Sequence, residues 1–164
     1  MTLPTRKASR LKDYNYSEAG AYFITICTKD RKNLFWTAVG ASIARPQPIP
    51  LSPYGAIADT AIQNIHVHYP AVQVDNYVIM PNHIHLLLRI TNSESGRPMV
   101  APTISTVIQQ FKGVVTKQLG FPVWQKLFYD HIIRNQCDYL EIWNYIDNNP
   151  AVWEKDRFFL QEKN

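Results

Sequence analysis

Apolar residues recur every second position in some stretches of this 164-residue chain and every third or fourth in others, and the two periods predict different elements. Residues 21–28 (AYFITICT) are β-branched and aromatic, set between Gly20 and the charged cluster Lys29, Asp30, Arg31, Lys32, and they predict a buried first strand. Over residues 54–68, Ile57, Ala58, Ala61, Ile62 and Ile65 follow three- and four-residue steps, which predicts an amphipathic helix closed by Pro70. Residues 72–80 predict a second strand and residues 83–90 a third, with Pro81-Asn82 as the short link of an antiparallel hairpin. Over residues 104–119, Ile104, Val107, Ile108, Phe111, Val115 and Leu119 form the stripe of a second helix, and Gly120 is placed to stop it. Residues 123–134 fit strand or helix, with Phe128, Ile132 and Ile133 suited to a final strand. A last helix is expected over residues 138–149, with Tyr139, Ile142, Trp143 and Ile146 as its apolar stripe and Pro150 as its terminator.

The resulting order is strand, helix, strand, strand, helix, strand, then an extra helix. It predicts an α+β protein, a ferredoxin-like βαββαβ sandwich with an antiparallel sheet and an added C-terminal helix. Residues 1–20 are polar, basic and aromatic without a period and read as an arm, leaving residues 21–164 as one domain. Four prolines, Pro46, Pro48, Pro50 and Pro53, forbid helix or central strand in the 40–53 segment, and the turn-rich residues 91–102 form a second loop.

Composition agrees with one folded domain: 46% of residues are hydrophobic and 18% charged, which excludes disorder as the main state. Cys27 and Cys137 lie far apart outside any metal-binding spacing, so a disulfide framework is not indicated. No apolar run is long enough to span a bilayer and no signal peptide is visible, so no membrane partner is expected and the expected location is cytoplasmic. The net charge of +4 is concentrated: residues 1–35 hold seven Lys/Arg against three Asp/Glu, and residues 97–134 hold five against one. Residues 135–164 reverse this, with three basic groups against six acidic ones, so two basic surfaces flank a locally acidic last helix where a cation is electrostatically welcome.

Candidate chemistry centres on Met80-Pro81-Asn82-His83-Ile84-His85. Alternation along a strand points His83 and His85 to one side and Ile84, Leu86, Leu88 and Ile90 to the other, so two imidazoles form half of a metal site. The alternative is two half-exposed polar residues on a strand face. His66-Val67-His68 has the same spelling, but at a helix end residues two apart diverge by about 200° and cannot share an ion. His131, among apolar neighbours, reads as a partly buried structural residue. For a nucleophile the chain offers no activated serine or cysteine but nine tyrosines. Tyr145 sits beside the apolar stripe of the last helix with Asn149 four residues on, so one helix could bring a hydroxyl and an amide oxygen to the histidine face. Pro150 biases Asn149 away from helical dihedrals, which loosens that spacing, and Tyr145 is equally readable as a packing aromatic.

The segments RLKDYNYSEAGAYFITICT, YVIMPNHIHLLLRI, FKGVVTK, VWQKLFYDHIIRN and YLEIWNYIDNNPAVWEKD together resemble the single-tyrosine HUH transposases of the insertion-sequence-200 type, most of all their REP-associated tyrosine transposase branch. The resemblance covers nearly the whole chain. It implies a divalent metal, Mg²⁺ or Mn²⁺, cleavage of single-stranded DNA at hairpin-flanked ends through a 5′-phosphotyrosine, strand transfer, and a homodimer. Carried onto this sequence, His83 and His85 match the metal-binding histidines, Tyr145 the nucleophile and Asn149 the polar position that completes the metal site. Arg6, Lys7, Arg10, Lys12, Arg31, Lys32, Lys112, Lys117 and Arg134 are candidate DNA-backbone contacts, Tyr14 a stacking residue, and Gln125 a DNA-contact candidate from the W-Q motif. No Gly-rich phosphate loop is present, so no nucleotide cofactor is expected. A non-cleaving DNA-binding protein on the same scaffold is the alternative function.

Overall fold

The computed structural model describes residues 19–37, 50–91 and 102–155. The basic arm with Arg6, Lys7, Arg10, Lys12 and Tyr14, and most of the proline-rich and turn-rich segments, lie outside the described residues. Four strands, β1 Gly20–Cys27, β2 Val72–Ile79, β3 His83–Ile90 and β4 Tyr129–Ile133, form one sheet in the order β2-β3-β1-β4. Every neighbouring pair is antiparallel, so the protein is α+β with a wholly antiparallel sheet. The helices are α1 Pro53–Gln63, a single turn α2 Ile65–His68, α3 Ile104–Leu119 and α4 Gln136–Asn148, with short 3-10 turns at Lys29–Arg31 and Pro150–Lys155.

Helix ends follow local chemistry. Ser52 Oγ accepts from Gly55 N ahead of α1, Thr103 Oγ1 from Thr106 N ahead of α3, and Asn135 Oδ1 from Asp138 N ahead of α4. Gly120 ends α3 with φ 80°, the left-handed cap conformation that glycine adopts without a steric penalty. The expected 54–68 helix is instead divided at Asn64 into α1 and α2. The last helix stops ahead of Pro150 as expected, but the residue before the proline is corrected: Asn149 keeps helical dihedrals of −58° and −44°, and a 3-10 turn begins at Pro150. The weak pre-proline bias yields to the continuing turn, in which Val152 N donates to Asn149 O.

The sheet carries a helical layer on each face. On one, Tyr22, Ile24 and Ile26 of β1 join Ile84, Leu86 and Leu88 of β3, all fully buried together with Ile62 of α1 and Val107, Ile108 and Phe111 of α3. Each such side chain contributes about 1.5–3 kcal/mol on burial. On the other face α4 lies over β2 and β3. In β2 the register slips: Val74 opposes Leu88 and Asn76 opposes Leu87, leaving Asp75 as an extra residue. This bulge reverses the alternation, so Tyr77 turns to the α1 side, where its hydroxyl donates to Asp59, and Val78 comes opposite His85. Among the described residues no helix is long and apolar enough to cross a membrane.

α1 approaches the chain before it very closely at Gly55, where a Cβ would run into the Phe35 carbonyl oxygen. Backbone cannot swing aside as a flexible side chain can. Gly55→Ala is expected to destabilise the fold by about 2 kcal/mol, read as a lower midpoint in chemical denaturation.

Candidate functional site

β3 places His83 and His85 side by side, and α4 closes over them. Both are buried, at 0% and 1% relative exposure, which replaces the picture of half-exposed strand residues. Their Nε2 atoms converge to 3.1 Å. The outward nitrogens are held separately: His83 Nδ1 lies 2.9 Å from Asn82 Oδ1 and His85 Nδ1 lies 2.8 Å from Thr25 Oγ1. An amide oxygen only accepts, so Asn82 fixes the proton of His83 on Nδ1 and leaves Nε2 with a lone pair. The Thr25 hydroxyl can donate or accept, so it supports either tautomer of His85.

Aromatic rings complete the enclosure. Phe23 of β1 stacks on His85 with centroids 5.1 Å apart, and Trp153 of the last 3-10 turn packs 5.8 Å from His83. Tyr145 lies across from the pair, its hydroxyl 3.5 Å from His85 Nε2 and its ring edge-on to Phe23. Tyr145 is 43% exposed, so part of its side chain faces solvent while its ring is anchored. One turn on, Asn149 lies in the chain between Tyr145, which touches His85, and Trp153, which touches His83. It is 1% exposed, and neither its Oδ1 nor its Nδ2 has a hydrogen-bond partner. Leaving such an amide unsatisfied costs about 1–3 kcal/mol per group, a cost that a bound water or ligand would relieve.

These residues fit a hard or borderline divalent cation. Two donors about 2.1 Å from one ion at 90–109° stand about 3.0–3.4 Å apart, which matches the separation of the two Nε2 atoms. A partner on Nδ1, as Asn82 and Thr25 supply here, is what orients a metal-binding imidazole. Among the described residues no three His, Cys, Asp or Glu side chains converge, so a third donor would have to be of another type, for which the buried Asn149 amide is the candidate.

The other sequence candidates divide by position. Lys29–Arg31 is a tight turn in which Asp30 and Arg31 both take left-handed dihedrals, with φ 57° and 52°. It is tied to the histidine end of the sheet: Thr28 N donates to Asn82 O, and Asn82 Nδ2 approaches Arg31 O at 3.4 Å. Exposed Arg31 and Lys32 therefore flank the residue that orients His83. Gln125 is drawn to the same end, its N donating to the carbonyl of Cys27, the cross-strand partner of His83. Lys112 is instead engaged internally. Its ammonium donates to Gln125 O at 2.7 Å, and burial lowers its pKa. Lys117 is exposed on the last turn of α3, in the layer on the opposite face of the sheet, and Arg134 is exposed just beyond β4.

His131 is exposed rather than partly buried, and pairs with Asp138 at 2.8 Å. His66 and His68 are exposed on α2 and take no part. Thr25, Phe23 and Trp153 were missed from sequence because only strand register and the last turn bring them to the histidines. Asn82 was the one support within reach, being adjacent to His83 in the motif.

No protein-family model matches the chain. The chain is 35% identical over 174 residues to an uncharacterized protein of Haemophilus influenzae, covering 94% of this chain and 93% of that protein, and the two belong to one family. A second protein of that organism, named as a REP-associated tyrosine transposase, is 25% identical over 145 residues, covering 84% of this chain and 73% of the relative. A solved structure of a REP-associated tyrosine transposase bound to a REP hairpin shares the fold, with a TM-score of 0.60, 20% sequence identity, and coverage of 87% of this chain and 73% of that one.

Proposed function

We propose that this chain, a relative of the REP-associated tyrosine transposases, is a transposase-type enzyme that binds hairpin-bearing single-stranded DNA, cuts it and transfers the cut strand through a 5′-phosphotyrosine. The observation that carries the reading is the hydroxyl of half-exposed Tyr145, 3.5 Å from Nε2 of His85 in a buried histidine pair. The strand order β2-β3-β1-β4, with two helices on one face, supports a ferredoxin-like scaffold for it. The solved relative is bound to a REP hairpin, which supports hairpin DNA as the partner.

In this mechanism Tyr145 Oη attacks the scissile phosphorus in line, and its proton passes to water at the open rim. A phosphorus–oxygen bond forms to Tyr145, the bond to the 3′-oxygen breaks, and that oxygen leaves as a 3′-hydroxyl on taking a proton. Another strand's 3′-hydroxyl reverses the step and releases the tyrosine. His83, His85 and Asn149 would hold a Mg²⁺ or Mn²⁺ ion, which when bound withdraws charge from the phosphate and from the leaving oxygen. Asn82 and Thr25 keep the two rings aimed at one point. Phe23, Trp153 and the body of α4 keep bulk water from that point, so charges there interact more strongly. Arg31 and Lys32 are suited to DNA phosphates beside the site. Lys117 and Arg134 would touch more distant backbone, and Gln125 a nucleotide near the histidines. A second copy of the chain is the expected partner in a homodimer.

The test is direct. The full chain, a labelled single-stranded hairpin oligonucleotide and Mn²⁺ are expected to give a band that survives denaturation and carries both label and protein. Chelation should remove it. DNA retention in native gels with no such band under any divalent ion would instead establish the non-cleaving, binding-only alternative.

A further inference from the structure

We infer that the β2 bulge is the device that seats α4, with Asp75 and Asn76 as positioning residues for Tyr145; the kinetic consequence rests on the assignment of Tyr145 as nucleophile, whereas the seating itself does not. In a regular strand consecutive side chains face opposite ways. The extra residue between Val74 and Asn76 breaks that rule, and both Asp75 and Asn76 reach α4. Tyr139 Oη donates to Asp75 Oδ2 at 2.8 Å, and Asn76 Nδ2 donates to Asp147 Oδ1 at 2.9 Å. The two bonds lie on either side of Tyr145 along the helix.

Each end of this grip is itself fixed. Asn76 Oδ1 accepts from Tyr77 N at 2.9 Å, which orients the amide so that its nitrogen faces Asp147. Asp75 is clamped by Arg89, whose Nε and Nη2 each lie 3.0 Å from a carboxylate oxygen, while Nη2 also donates to Gln73 Oε1 at 2.8 Å. Arg89 belongs to β3, the strand that carries His83 and His85. Tyr139 therefore grips an oxygen referenced to the histidine strand, and α4 is aligned to the same strand that its tyrosine must address. Burial and the bond to Asp75 raise the pKa of Tyr139, so its hydroxyl stays a donor.

α4 needs such a grip because its apolar contribution is small. Only Ile142 and Ile146 are buried, with Tyr139 and Trp143 partly covered. The His131–Asp138 pair is a third tie, from the first turn of α4 to β4. It fixes the start of the helix, whereas the bulge residues fix its lie over β3. Displacement of a reacting group by about 1 Å can cost about 100-fold in rate, so the seating of α4 governs how often Tyr145 is in line.

The experiment compares the full chain with Tyr139→Phe and Asn76→Ala, and Asp75→Leu with Asp75→Asn, which keeps an acceptor oxygen for Tyr139. Two readouts are taken: amide hydrogen exchange across α4, and the rate of covalent-adduct formation on hairpin DNA as a function of DNA concentration. Exchange at residues 142–146 is expected to quicken about 10-fold in Tyr139→Phe and Asn76→Ala while β1 and β3 stay protected. The limiting adduct rate should fall about 10-fold with the half-saturating DNA concentration unchanged. Asp75→Asn should recover most of what Asp75→Leu loses. Unchanged α4 exchange, or exchange that quickens throughout the fold, overturns the inference. A parent protein that forms no adduct would count against Tyr145 as nucleophile, and the exchange readout alone then decides the seating.

Discussion

Tyr145→Phe is expected to abolish covalent-adduct formation, by a factor of about 1,000 or more, while leaving DNA affinity and the denaturation midpoint close to those of the parent. The expectation follows from what the substitution removes. The Tyr145 ring packs edge-on to Phe23 and against His85, and phenylalanine preserves both contacts. Only the oxygen 3.5 Å from His85 Nε2 is lost. Neighbouring tyrosines make poor substitutes. Tyr139 gives its hydroxyl to Asp75 and is held protonated by burial and that bond, the opposite of what an attacking phenol requires. Tyr129 is exposed on β4, an edge strand, with β1 between it and the strand of the histidines. Mass mapping of the DNA-linked peptide checks this: a Tyr145→Phe protein linked at unreduced yield through another tyrosine removes the assignment.

His85→Ala should remove two properties together. Adduct formation is expected to fall by about 100-fold or more, and the stabilisation of the parent fold by Mn²⁺ should vanish. In the parent, Mn²⁺ at about 100 times its dissociation constant should add about 2.7 kcal/mol to the unfolding free energy, measured by denaturant titration with and without the ion. Thr25→Val is the milder companion. It leaves both imidazoles in place but deprives His85 Nδ1 of its 2.8 Å partner, and should weaken Mn²⁺ binding about 10- to 100-fold. If Mn²⁺ stabilises the His85→Ala protein as much as the parent, the ion binds elsewhere and the histidine pair is structural.

Legibility in the sequence followed the range of the interactions that decide each element. β3 and α3 occupy the expected residues because clean alternation and a clean three–four stripe are local signals. The extent of β4 was ambiguous because its five residues are half-exposed at a sheet edge, where neither period imprints strongly. Asn64 divides the first helix without a Gly or Pro to announce it. At Asn149 the local rule gave the opposite of the result, since the pre-proline bias is smaller than what the following turn and burial supply. Alternation alone put the two histidines on one face, and helical spacing put Tyr145 and Asn149 on one side of their helix. The Thr25–His85 and Phe23–His85 contacts join residues some 60 positions apart, and no pattern within one segment encodes them.

β2 and β4 are the outer strands of the sheet, and an outer strand offers a row of unpaired donors and acceptors on which a foreign strand can grow. In β2 that row is interrupted at Asp75, where the backbone kinks and where a carboxylate and the Arg89 guanidinium sit side by side. A strand arriving from another molecule would lose its hydrogen-bond register at that point and bring its backbone against fixed charge. Among the described residues, a break of this kind in an outer strand is expected to disfavour strand addition along this border, the first step of aggregation.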